Sequence, residues 1–142
     1  MQAIVQNIGN DFEGMANKLI LTGCFMKMIS SGNKIVLEHG HQVIVTMITH
    51  CIAPKLVQKF QEDMASTKNG NVRARISQYL MLMISEYPLE VLDRFMGNVE
   101  AFLSLGMPDA NADARLYARR AFLIWEFKCP QSARKLISLL DI

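Results

Sequence analysis

Apolar residues recur along this chain at intervals of three and four, the spacing of packed helices, and the clearest case is Asp109–Phe127, DANADARLYARRAFLIWEF. On a helical wheel Ala114, Ala118, Ala121, Phe122 and Trp125 share one face, while Leu116, Leu123, Ile124 and Phe127 form a second. Arg115, Arg119 and Glu126 fill the polar stripe between them. Three alanines admit a neighbouring helix at close range, and Phe122 and Trp125 add bulk at one end. A helix apolar on two sides is expected to lie sandwiched between others. Pro108 and Asp109 precede it, residue types that end one helix and cap the next, and Pro130 closes it.

Moved back by 42 residues, the first face becomes Val72, Ile76, Tyr79, Leu80 and Met83, with Arg73 on Arg115 and Pro88 on Pro130. That interval lies in the period range of two-helix HEAT repeats. The predicted fold is all-α: an α-solenoid of about three HEAT-like helix pairs with a C-terminal capping helix. In order, residues 1–9 read as a short helix end with Ile4, Val5 and Ile8 on one side, broken by Gly9, Asn10 and Asp11. A helix is predicted from Phe12 to Ile29, its stripe marked by Met15, Leu19, Met26 and Ile29. After the turn Ser30-Ser31-Gly32-Asn33, another runs from Lys34 to about Cys51 with Val36, Gly40, Val43, Met47 and His50 on one face. Pro54 opens PKLVQKFQEDM, which buries Leu56, Val57, Phe60 and Met64. A turn then leads into a helix from Asn71 to Tyr87. Leu89 to about Leu105 is expected to bend near Gly97, and Pro130 to Leu140 presents Ala133, Leu136, Ile137 and Leu140 to cover the end. Nothing at residues 1–9 resembles a polar cap, so the start reads as a cut edge or as a surface meeting another copy or another polypeptide.

Composition narrows the function. Half the residues are apolar and a fifth charged, which suits a folded core. No apolar run approaches the roughly 18 residues of a membrane span, and MQAIVQNIGN lacks the order of a signal peptide. Cys24, Cys51 and Cys129 are therefore expected to be reduced cytosolic thiols, an odd number that does not suit a disulfide framework. A net charge of +2 does not point to nucleic acid. The ten methionines fall at core spacing and read as filling. His39 and His41 project about 200° apart on a helix and cannot share a tetrahedral metal. Adjacent His50 and Cys51 are equally poor as a nucleophile pair. With no phosphate loop, HExxH, GxSxG or paired carboxylates, nothing indicates an enzyme, a metal or a cofactor. What remains is positional: the turns Ser30–Lys34, Ser66–Asn71 and Gly106–Asn111 fall on one long edge of a solenoid. They carry Lys34, Lys68 and Asn69, with Arg73 one turn into its helix. Loops on a rigid repeat scaffold are the usual place for binding, although most surface lysines are merely solvated.

The segments GNDFEGMANKLI, SGNKIVLEHG, PKLVQKFQEDMASTKNGNVRAR and MPDANADARLYARRAF resemble, in order, the second half of a TOG domain of the CLASP type. The resemblance implies that residues 1–142 are a single partial TOG-like HEAT-repeat domain. It further implies that the module binds tubulin or microtubules through the turns between paired helices, in the cytoplasm on the microtubule cytoskeleton. On the matching positions Lys34 and Lys68 lie in turns that face tubulin, with Asn69 and Arg73 as neighbours. Asp109 and Arg115 match an Asp and Arg six apart that serve as a structural ladder, and Thr67 stands where Arg73 would have its acid, leaving Arg73 freer to face a partner. The family's first tubulin-contacting turn, typically carrying a tryptophan, is absent, and Trp125 lies on a buried face. Binding by this chain alone would be weaker than the family norm, or would need the missing half from a second polypeptide. The alternative reading is a HEAT adaptor that assembles with another protein through its open N-terminal end.

Overall fold

The computed structural model describes residues 23–140. All regular structure among them is helical: α1 (Cys24–Ile29), α2 (Lys34–His50), α3 (Lys55–Ser66), α4 (Gly70–Glu86), α5 (Leu89–Leu92), a 3-10 turn (Asp93–Phe95), α6 (Met96–Gly106), α7 (Ala112–Lys128) and α8 (Pro130–Leu140). The expectations for residues 1–9, and for Met15 and Leu19, lie outside the described residues. Local chemistry sets the ends. Asn33, Asn69 and Asn111 cap α2, α4 and α7 with their side-chain oxygens. Pro54 enters α3 at φ −65°, the value its ring enforces. Of the helix predicted from Phe12 to Ile29, the described part begins at Cys24, directly after Gly23, whose φ of 68° is left-handed and suits a residue without a Cβ. The break expected near Gly97 falls instead at Asp93–Phe95, and Gly97 continues α6.

The helices pair as α1 with α2, α3 with α4, and α6 with α7, and successive pairs stack into a HEAT-like solenoid. Close approach inside pairs depends on small residues. A Cβ on Gly40 would stand 2.7 Å from Met28 Cβ, and one on Gly106 would stand 2.8 Å from Ala118 Cβ. The second helices run side by side and parallel. His41 Nδ1 meets Tyr79 Oη at 2.9 Å midway along both α2 and α4, and just past the ends of both helices Ala53 N donates to Tyr87 Oη at 3.2 Å. Further on, Ser77 Oγ donates to Ala114 O at 2.9 Å. Beyond that, Lys128 Nζ closes α4 by donating to the carbonyls of Ile84, Ser85 and Tyr87 at 2.6, 2.9 and 2.8 Å. Parallel second helices bring their N-terminal turns to one side of the molecule.

The core follows the predicted faces in α3, α4 and most of α7. Leu56, Val57, Phe60, Met64, Val72, Ile76, Tyr79, Leu80 and Met83 are all buried, as are Ala114, Ala118, Ala121 and Trp125. Each large apolar side chain so buried contributes about 1.5–3 kcal/mol of transfer free energy. Trp125 also donates from Nε1 to Ser132 Oγ at 2.9 Å, and Ser132 donates to Glu100, tying α7 to α8 and α6. Three faces differ from expectation. In α2 the buried set is Gly40, Ile44, Thr46, Met47 and Ile48, rotated away from Val36 and His50, both of which are exposed. The second apolar face of α7 is not sandwiched: Leu123 is 65% and Phe127 89% exposed. In α8, Ala133 and Leu136 are buried but Ile137 is exposed, so this helix covers only part of the preceding pair.

Candidate functional site

The same turn is built three times. In each, the Asn side chain accepts from two amides of the helix it opens: Asn33 from Ile35 and Val36, Asn69 from Asn71 and Val72, Asn111 from Asp113 and Ala114. In each, the Asn amide donates to the side-chain oxygen two residues earlier, Ser31 Oγ at 3.1 Å, Thr67 Oγ1 at 3.3 Å and Asp109 Oδ1 at 2.8 Å. Side chains thereby satisfy backbone donors that would otherwise be free at a helix start, and the loops are rigid. The second and third turns touch, because a Cβ on Gly70 would lie 3.1 Å from Asn111 Nδ2. The result is an edge along which three helix N-termini point the same way, each carrying partial positive charge.

The four sequence-predicted residues divide in two. Lys34, the first residue of α2, and Lys68, just before the cap of α4, are exposed, and their ammonium groups make no hydrogen bond or ion pair among the described residues. Asn69 has its oxygen engaged as a cap and keeps only its amide nitrogen for another molecule. Arg73 is not the freer group that Thr67 suggested. Its Nε donates to Asp109 Oδ2 at 3.0 Å and its Nη2 to Asp109 Oδ1 at 3.2 Å, while Nη1 reaches Thr67 O at 3.3 Å. The acid comes from the following repeat. Arg115 repeats the last contact, donating from Nη1 to Asp109 O at 2.7 Å. Asp109 and Arg115 are thus the ladder expected of them, and Arg73 is its other rung.

The polar contacts of two groups away from the edge, Tyr79 and Lys128, were not named by the sequence. Tyr79 is fully buried, and burial pushes its phenol above the ordinary range, with Arg75 pulling it down and Glu38 adding to the rise. Its spacing marked it as core, but nothing in the sequence named His41 as its partner. Burial likewise lowers the Lys128 ammonium, against the pull of Glu86. A lysine in the last turn of one helix is the expected companion of a helix C-terminus, although here the C-terminus belongs to the neighbouring helix. Among the described residues no group of three or more His, Cys, Asp or Glu side chains is placed to hold a metal. No helix among them is long and apolar enough to cross a membrane.

Paired helices, parallel second helices and a capped loop edge define a HEAT-like repeat scaffold. The family model described as CLASP N terminal matches residues 1–142, and the chain belongs to that family. It is 26% identical over 116 residues to a CLIP-associating protein of Drosophila melanogaster, covering 82% of this chain and 7% of that protein. It is 24% identical over 132 residues to a CLIP-associated protein of Arabidopsis thaliana, covering 92% and 9%. It is also 27% identical over 120 residues to CLIP-associating protein 1-B of Xenopus laevis, covering 84% and 8%. The matched stretch spans less than a tenth of the length of these relatives, whose names denote association with CLIP.

Proposed function

We propose that this chain is a non-enzymatic tubulin- or microtubule-binding module of the CLASP TOG type, acting in the cytoplasm on the microtubule cytoskeleton. The observation that carries this reading is the edge itself: three identical rigid turns in line, with Lys34 and Lys68 exposed on them. Aligned helix N-termini and two unpaired ammonium groups make a positive strip suited to an acidic protein surface. Lys34 and Lys68 are the contact residues. Asn69 contributes its free amide nitrogen and fixes the turn, and Arg73 acts through its bond to Asp109 by holding two turns in register. Rigid loops lose little conformational entropy on binding, which favours a preformed edge over a mobile one.

Salt-dependent co-sedimentation of the chain with tubulin tests the reading. Exposed charges are screened beyond about 10 Å at 0.1 M ionic strength. The pelleted fraction should therefore fall severalfold between low and moderate salt. Binding indifferent to salt, or no pelleting at low salt with micromolar tubulin, would count against it.

A further inference from the structure

α3 and α6, the first helices of consecutive pairs, pack on each other, and where they run out into the second and third turns they leave a cleft of roughly 200 Å³. α3 and its turn line it with Gln61, Ala65 and Thr67, and α6 lines it with Leu105. Leu105 is 55% exposed and stands at the start of the third turn, and Ala65 is exposed at the end of α3. The charged groups that line the cleft, Arg73 and Asp109, are spent on each other through bonds of 3.0 and 3.2 Å. Gln61 gives its Oε1 to Asn98 at 2.9 Å, and its amide nitrogen has no partner among the described residues. Lys68 follows Thr67 directly, so an exposed ammonium group adjoins the opening. Both walls belong to consecutive pairs. Each repeat of a solenoid touches only its neighbours, so a further repeat would stack on an end and leave this opening as it is.

We propose that this cleft seats one aliphatic side chain of the acidic partner, with a carboxylate beside it on Lys68 and Gln61 Nε2 donating to a backbone carbonyl. The inference rests on the tubulin-binding reading of the edge and names the apolar contact of that same site. Size and charge select the occupant. Pockets for small ligands run to about 300–1,000 Å³, larger than this one. A charged group would enter a lining whose own charges are already paired, and would be desolvated without compensation. The positive charge lies at the rim, where an acidic surface meets it. The two kinds of contact divide the work: a side chain seated in a pocket slows dissociation, whereas rim charge speeds association.

The test measures association and dissociation rates of soluble tubulin on the immobilised whole chain, at low and moderate salt. Leu105→Ser removes the exposed wall, and Ala65→Phe places a ring over the cleft from an exposed position. Both should melt within a degree or two of the parent and release tubulin about tenfold faster at either salt, with association within about twofold. Leu105→Met should restore the parent rate, and Lys68→Glu should slow association in a salt-dependent way. Parent-like release by both folded variants would overturn the proposal and leave the edge reading standing, as would a loss confined to association. Loss of a self-associated state of the chain in Leu105→Ser would assign the cleft to a second copy and overturn it too. A parent chain that binds no tubulin at low salt would remove the edge reading and this inference with it.

Discussion

Asp109 ties the second and third edge turns together. Its two carboxylate oxygens take the fork of Arg73, Oδ1 also receives the Asn111 amide, and its carbonyl receives Arg115. The pair is well shielded, with side chains 20% and 7% exposed for Arg73 and Asp109. Two parallel N–H···O⁻ bonds in such a setting are among the stronger polar contacts a protein makes. Asp109→Ala should therefore lower unfolding free energy near the bottom of the ~3–5 kcal/mol range for breaking a buried pair, since Arg73 retains some access to water. A double-mutant cycle with Arg73→Met in urea melts checks this, and additive costs would show that the pair is not coupled. The spacing of Asp109 and Arg115 was readable from sequence. The partner of Arg73 was not, because a pattern inside one repeat is silent about which neighbouring repeat supplies the acid.

At the scale of helices, sequence patterns succeeded where one face alone was apolar or where a repeat picked the face out. In α3 the polar positions leave a single choice of buried side, in α4 the 42-residue match to α7 selects it, and all nine residues expected to be buried there are buried. α2 carries Ile35, Val36, Val43, Ile44, Val45 and Ile48, apolar on every side, so periodicity could not select the buried face and the packing of α1 and α4 did. α7 shows the opposite error: a second apolar stripe does not require a second neighbour, and Leu123 and Phe127 face solvent. Its buried face is the firmer prediction. Trp125→Ala removes a fully buried side chain and the bond to Ser132, and should cost on the order of 3–5 kcal/mol. Thermal melts that agree within a degree or two would show that Trp125 is not core. Lys128→Leu should cost about 1 kcal/mol, the low end for lost hydrogen bonds, because water can reach the freed carbonyls. Hydrogen exchange of the Tyr87 amide, bonded to Met83 O at 2.9 Å, should then quicken severalfold, and unchanged exchange would mean that Lys128 does not secure the end of α4.

For the molecule as a whole, the all-α solenoid and its loop edge could be read from the 42-residue period and from the polar turns Ser30–Lys34, Ser66–Asn71 and Gly106–Asn111. Which edge residues remain available to a partner could not. That depends on hydrogen bonds that engage Asn69 and Arg73 and leave the ammonium groups of Lys34 and Lys68 without a partner among the described residues. The central claim is therefore tested most directly by binding of tubulin to the Lys34→Glu/Lys68→Glu variant at low salt. Both positions adjoin helix N-termini, where glutamate is favourable by about 0.3–1 kcal/mol, so the fold should hold. The control is Lys55→Glu/Arg134→Glu, with the same change in net charge near the starts of α3 and α8, both positions exposed. Lys135 is avoided because it pairs with Glu100 at 3.0 Å. The account predicts that the edge variant loses binding by tenfold or more, mainly through slower association, while the control stays within about twofold. Equal loss in both variants, or undiminished binding by a folded edge variant, would contradict it.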